Sequence, residues 1–171
     1  SNAAGFATGN DILINDGYIR DGMYGDSVNG GSSGNDVIIN NGVVAGDISG
    51  DGRTGSGSGN DSVLNNGTAV DIFGDSRFGG ASGSDVIVNY GTASNIYGDD
   101  VFAAGTGSDV ITNGGAVSGS IIAAGGNDTV IIQGNAATVG GVMDGGAGYD
   151  VLTFNRSEEH TSELQSPCNI V

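Results

Sequence analysis

Seven aspartates recur in one local setting, each behind a short Gly-, Ser- or Asn-rich turn and ahead of an apolar run. The copies read TGNDILIN from Thr8, SGNDVIIN from Ser33, SGNDSVLN from Ser58, SGSDVIVN from Ser82 and TGSDVITN from Thr106. GGNDTVIIQ from Gly125 and AGYDVLTF from Ala147 complete the set. The aligned residues are Asp11, Asp36, Asp61, Asp85, Asp109, Asp128 and Asp150, spaced by 25, 25, 24, 24, 19 and 22 positions. A second set, Asp26, Asp51, Asp75 and Asp99, closes the strings MYGD, ISGD, IFGD and IYGD, each ten residues before the next aligned aspartate. Asp144 precedes the last Gly-rich turn. Carboxylates next to the carbonyls of a flexible glycine-rich loop offer hard oxygen ligands, the donor set of Ca²⁺, which accepts six to eight oxygens with tolerant geometry. Mg²⁺ suits such loops less well, because it demands a tighter octahedron. All twelve aspartates are therefore candidate metal ligands. Catalysis has less to work with. Residues 1–155 hold no His, Cys, Glu or Lys, and an Asp-only acid–base pair would compete with the metal for its carboxylates, so no enzyme is expected.

What must position these aspartates is a repeating unit. Five copies carry an Asn-x-Gly step after the apolar run, at Asn15, Asn40, Asn65, Asn89 and Asn113, which is turn chemistry. Each period thus reads strand, tight turn, short strand, long Gly/Ser loop. A unit this short cannot bury its apolar face alone, whereas stacked units share one core. Helix is excluded by glycine density, at about 1 kcal/mol per helical glycine. The expectation is an all-β protein, a parallel β-solenoid of about seven coils, forming a rod about 30 Å long at the usual strand spacing.

Stacking then forces the chemistry. Equivalent carboxylates one strand spacing apart repel by roughly 3.5 kcal/mol at an effective dielectric near 20. With no lysine and only Arg20, Arg53 and Arg77 in residues 1–155, the chain cannot neutralise its own columns, whereas a bound cation can. A single Asp in a Gly-rich turn reads equally well as a turn former bonding its own backbone; the in-register column is what favours metal. The five asparagines are expected to form a stacked side-chain ladder satisfying turn backbone. Tyr24, Ser49, Phe73 and Tyr97 should share a column by ordinary packing.

GGAGYDVLTF at 145–154 fits the nonapeptide G-G-x-G-x-D-x-U-x, with U apolar, and GGNDTVII is close to it. On these motifs the chain resembles the repeats-in-toxin, or haemolysin-type, calcium-binding β-roll family. The resemblance is specific over 122–154 and looser over 8–121, where one turn per period is Asn-x-Gly and the other loop is about five residues longer. It implies Ca²⁺ held between successive coils with Asp150 and Asp128 as ligands, and Asp11, Asp36, Asp61, Asp85 and Asp109 at the same place in degenerate copies. The Asn-x-Gly departure leads us to expect metal along one edge only. The resemblance further implies a segment of a larger secreted or surface bacterial protein, adhesin- or toxin-like, located outside the cell, whose folding waits for calcium.

Composition sets the remaining bounds. The chain has 171 residues, 35 of them glycine, with 20 acidic and four basic residues and a formal net charge of −16. Nucleic acid and anionic membranes both need basic patches, so neither is expected as a partner. No stretch approaches the roughly 20 apolar residues of a membrane span. Acidity with few aromatics can also signal disorder, but Val and Ile fall here in regular blocks. All three glutamates and the only His, Pro and Cys lie after residue 155. RSEEHTSELQSP resembles a translated sequencing adapter, so 156–171 are expected to be a non-native tail, 4–155 the repeat domain, and 1–3 the remnant of an expression tag. Alternation in DVIIN and DVIVN places Ile38 and Ile87 inward, and Val37, Ile39, Val86 and Val88 outward beside Ile12, Ile14 and Val110. That apolar outer face could join copies into a homo-oligomer. Two further roles stay open: a calcium-dependent ice-binding module, from the Thr/Ser positions of the loops, and an accessory domain of a secreted hydrolase.

Overall fold

A computed structural model describes residues 3–4, 9–29, 34–55, 57–79, 82–101 and 105–156. Every strand pairing in it is parallel, and no helix occurs among the described residues. The aligned apolar runs form one seven-stranded sheet built from Ile12–Asn15, Val37–Asn40, Ser62–Asn65, Val86–Asn89, Val110–Asn113, Thr129–Gln133 and Val151–Asn155, in chain order. A second sheet stacks Met23–Tyr24, Ile48–Ser49, Asp71–Phe73, Asn95–Tyr97, Ile121–Ile122 and Met143–Asp144, with Ala3–Ala4 against its first strand. Short pairs such as Val43–Val44 and Thr92–Ala93 line the corner between the two. Each coil visits the long sheet, the corner and the second sheet, then returns through the Gly/Ser loop: the expected β-solenoid. Ser1 and Asn2 lie outside the described residues, as do 157–171. Ala3 pairs with Met23, and Arg156 places its guanidinium 5.6 Å from the Phe154 ring centre.

Register is exact along the stack because a slip of one residue would turn every apolar side chain outward. Ile38, Val63, Ile87 and Ile111 lie in one buried row of the long sheet. Met23, Ile48, Ile72, Ile96 and Ile121 form the facing row of the second sheet. Val44, Ala69, Ala93 and Val117 fill the corner. β-Branched residues dominate because a stiff χ1 suits a pleated surface whose neighbours repeat at fixed spacing. Burial contributes roughly 1.5–3 kcal/mol for each such side chain. The alternate residues point out as expected: Ile12, Ile14, Val86 and Val110 are exposed and Val37, Ile39 and Val88 half-buried, with Ser62 interrupting the row. Tyr24, Ser49, Phe73 and Tyr97 are indeed register partners, and Phe73 stacks on Tyr97 with ring centres 4.9 Å apart.

The Asn-x-Gly turns carry the asparagine ladder. Asn15 Nδ2 donates to Asn40 Oδ1 (2.8 Å), Asn40 to Asn65 (2.7 Å), Asn65 to Asn89 (2.8 Å) and Asn89 to Asn113 (2.8 Å). The same oxygens accept turn N–H groups, as Asn40 Oδ1 does from Gly42, and the same amides reach corner carbonyls, as Asn65 Nδ2 does at Thr92. In the next coil Ile132 takes the register position of Asn113 and the ladder ends.

Candidate metal centre

The aspartates gather on the edge opposite the asparagines, where the Gly/Ser loops join the two sheets. There six of the seven aligned aspartates, all but Asp11, spend one oxygen each on the neighbouring coil. Asp11 N–H donates to Asp36 Oδ1 (2.6 Å), Asp36 N–H to Asp61 Oδ1 (2.7 Å) and Asp61 N–H to Asp85 Oδ1 (2.7 Å). Asp85 N–H donates to Asp109 Oδ1 (2.9 Å), Asp109 N–H to Asp128 Oδ1 (2.8 Å) and Asp128 N–H to Asp150 Oδ1 (3.1 Å). This is a sound structural reason for an Asp at the position, since it satisfies a backbone donor just before the strand ladder begins.

The second oxygen has no such reason. Oδ2 of Asp36, Asp61, Asp85, Asp109 and Asp128 is buried without a hydrogen-bond partner. The closing column faces it: Asp26, Asp51, Asp75 and Asp99 are fully buried, and neither oxygen of Asp26, Asp51 or Asp99 finds a donor. Asp75 Oδ2 accepts from Gly83 N–H (2.8 Å), leaving Oδ1 bare. Leaving a buried polar atom unpaired costs about 1–3 kcal/mol, more if charged. Ligand atoms of Asp26, Asp36 and Asp51 lie within 4.8 Å of one another, and so do those of Asp51, Asp61 and Asp75. Asp51 belongs to both groups, so the clusters interlock from coil to coil.

Glycine keeps room beside these oxygens. A Cβ on Gly25, Gly50 or Gly74 would collide with Oδ2 of Asp36, Asp61 or Asp85 respectively, and with the carbonyl oxygen of the equivalent glycine in the next coil. Free carboxylate oxygens and backbone carbonyls thus converge on the same narrow space. Hard oxygen donors of both kinds are what an alkaline-earth cation takes.

The electrostatics agree. Burial pushes the Asp36 carboxyl up to about 6, Asp109 to about 7 and Asp61 to about 8, and neighbouring carboxylates add to each rise. Burial likewise raises Asp51, Asp75, Asp85 and Asp99, where contacts between Asp75 and both Asp51 and Asp99 split the effect, as when two carboxyls share a proton. Gly125 N–H lies near enough to Asp99 to oppose that rise without reaching hydrogen-bond geometry. Asp128 is raised for the same reason, burial. Without a cation, burial and like charge on this edge disfavour the ionised form of its carboxyls.

Not every candidate ligand joins the two columns. Asp11 and Asp150 cap the aligned column at its ends, half-buried and exposed. Asp144 stands apart from both columns. It pairs with Ile122, itself paired with Tyr97, which puts Asp144 in the register column of Tyr24, Ser49, Phe73 and Tyr97, where it is exposed and its Oδ1 accepts from Gly146 N–H at 3.0 Å. Counting on by two from those pairs places Ala124 and then Gly146 opposite Asp99. Both are left-handed, at φ 84° and 85°. The tight nonapeptide turn therefore has a turn residue where the longer loops have their closing aspartate, and that column ends at Asp99. Two buried aspartates escaped the repeat pattern, Asp47 and Asp100. Asp47 pairs with Arg77, and its only sequence signal is an acid two residues before a closing Ser-Gly-Asp. On the loop surface, Asn10, Asn35, Asn60, Ser84, Ser108 and Asn127 each accept a backbone N–H of the next coil, so the outward polar column serves the stack itself. Comparison with protein-family models, with curated proteins and with solved structures yields no match.

Proposed function

We propose that this chain is a non-catalytic Ca²⁺-binding β-solenoid segment of a larger secreted or surface protein, adhesin- or toxin-like, whose folding is completed by calcium. One observation carries the reading: two facing columns of buried aspartates present oxygens with no donor, beside backbone carbonyls and a glycine-cleared space. A protein could keep such groups neutral by protonation, but at neutral pH a divalent cation stabilises many of them at once. Asp26, Asp36 and Asp51 would hold one ion, and Asp51, Asp61 and Asp75 the next. Calcium supplies positive charge and a flexible oxygen shell when bound. The chain's part is to bring together carboxylates that repel in its absence, which makes binding energy into folding energy. The likeness of GGAGYDVLTF to the repeats-in-toxin motif supports calcium over magnesium, and it alone supports secretion. In the low calcium of a bacterial cytosol the chain would stay unfolded, and it would fold outside.

The test is circular dichroism and thermal melting of metal-free protein titrated with calcium, with magnesium in parallel. Calcium should restore β-structure and raise the melting temperature in the micromolar to millimolar range, with magnesium far weaker. Identical spectra and melting temperatures in chelator and in millimolar calcium would refute the assignment.

A further inference from the structure

All three arginines of residues 1–155 meet on one surface. Arg20, Arg53 and Arg77 line an open groove of about 440 Å³ on the outer side of the second sheet, floored by Tyr24 and flanked by Asp21 and Asp47. In a chain with 20 acidic and four basic residues, carboxylates were available to neutralise each of them. They were used that way only in part: the charge of Arg20 acts on Asp21, and Arg53 has no such partner among the described residues. Thr54 pairs with Phe78, so Arg53 and Arg77 occupy equivalent positions in adjacent coils and stack like charge on like charge. Asp47 answers Arg77 alone. The guanidinium groups of Arg20 and Arg53 make no hydrogen bond or ion pair among the described residues, and Arg77 Nε is buried with no acceptor.

Aromatic rings pack against one of the guanidinium groups. The Arg77 guanidinium rests 5.0 Å from the Phe78 ring centre and 5.8 Å from that of Phe73, which is itself stacked on Tyr97. Burial and the charge of Asp47 push the Tyr24 hydroxyl up, while Arg53 and Arg77 pull it back, so both cations act on the groove floor. Three arginines against two aspartates leave the groove net positive, the problem of the aspartate columns with the sign reversed. A planar fork of donors held on aromatic rings suits an oxyanion, to which guanidinium can bond in bidentate fashion.

We propose that the Arg20–Arg53–Arg77 groove is an anion site that takes the sulfate or carboxylate group of a small acid or acidic saccharide, separate from the aspartate edge. Arg20 and Arg53 contact the anion, and Arg77, fixed by Asp47, positions its charge behind them.

The experiment is an NMR titration of amide shifts in the calcium-saturated full chain, exchanging chloride for sulfate at constant ionic strength. A second arm uses a sulfated disaccharide. Saturable shifts at Tyr24, Arg53 and Arg77 are expected. Arg53→Gln should weaken binding at least tenfold and Arg20→Gln several-fold, while Arg156→Gln, outside the groove, leaves it unchanged. Saccharide binding much tighter than sulfate identifies a glycan source, and equal affinities identify a free ion; either upholds the site if Arg53 is required. Shifts that do not saturate, or that are the same in wild type and Arg53→Gln, overturn it. Arg53→Gln should keep the wild-type calcium response, so this site can fail without the calcium reading failing, and the reverse.

Discussion

The two edges of this solenoid stack polar side chains at the same spacing and solve the resulting problem in opposite ways. On the Asn-x-Gly edge, an amide is both donor and acceptor, so Asn15, Asn40, Asn65 and Asn89 each give an N–H to the next asparagine, and Asn15, Asn40 and Asn113 take one from the turn. On the loop edge, an ionised carboxylate only accepts. Asp36, Asp61, Asp85, Asp109 and Asp128 each take one backbone N–H and keep a buried second oxygen without a partner among the described residues. A column of amides supplies its own donors, and one of carboxylates must be protonated or take a cation, as proposed above.

Exchanging the chemistry of the edges should break that contrast most severely. Asn65→Asp loses the donations to Asn89 Oδ1 and Thr92 O and puts a buried charge in the asparagine ladder. It should cost about 3 kcal/mol or more whether or not calcium is present, as read by denaturant unfolding in both conditions. A loss seen only without calcium would mean that the asparagine edge also takes metal.

The reverse exchange, Asp61→Asn, should have opposite signs in the two conditions. The amide oxygen can still accept Asp36 N–H, so the strand is kept. In metal-free protein the change removes a desolvated charge and should raise the melting temperature. In millimolar calcium it should lower the number of bound ions and cost at least tenfold in affinity, about 1.4 kcal/mol. Asp11→Asn, at the end of the stack, should cost less. Equal melting temperatures for wild type and Asp61→Asn in calcium would leave Asp61 a turn former.

A smaller and more gradual effect is expected with pH. Asp36, Asp109 and Asp61 have folded-state values of about 6, 7 and 8, above the ordinary carboxyl range. Raised values bind protons in the folded state, so their contribution is fully present below about pH 4 and is lost as pH rises through roughly 6 to 8. Metal-free protein should therefore melt highest near pH 4 and lower at pH 8. Calcium should reverse the trend, because protons compete for the same oxygens. A flat metal-free profile would show that these carboxyls are solvated.

Asp144→Asn should do least. The side chain is exposed and its oxygen serves only the Gly146 turn, so calcium stoichiometry should stay unchanged and stability should move by less than about 0.5 kcal/mol. A lost ion, counted by calorimetry, would return Asp144 to the ligand set.

Much of this was written in the chain. A fixed period with apolar residues at alternate positions forces parallel, in-register stacking, because only one register buries Ile38, Ile87 and their equivalents. From this the inward and outward rows, the asparagine ladder and the two aspartate columns follow by counting. Asp144 marks where counting stopped working. Met-Asp-Gly-Gly looks like Met-Tyr-Gly-Asp by composition, but pairing of Met143 with Ile121 shifts the aspartate two places from the column. The strand register, set by the core, decides that, and a local string does not contain it. Three-dimensional placement alone also decided that the shared residue is Asp51, that one oxygen of each aligned aspartate goes to a backbone N–H, and that Arg20, Arg53 and Arg77 converge. The repeat fixes what lies directly above and below each residue, since that is a matter of period. What faces a residue across the coil depends on where the loops and corners bend, and that is settled only when the whole turn closes on its core.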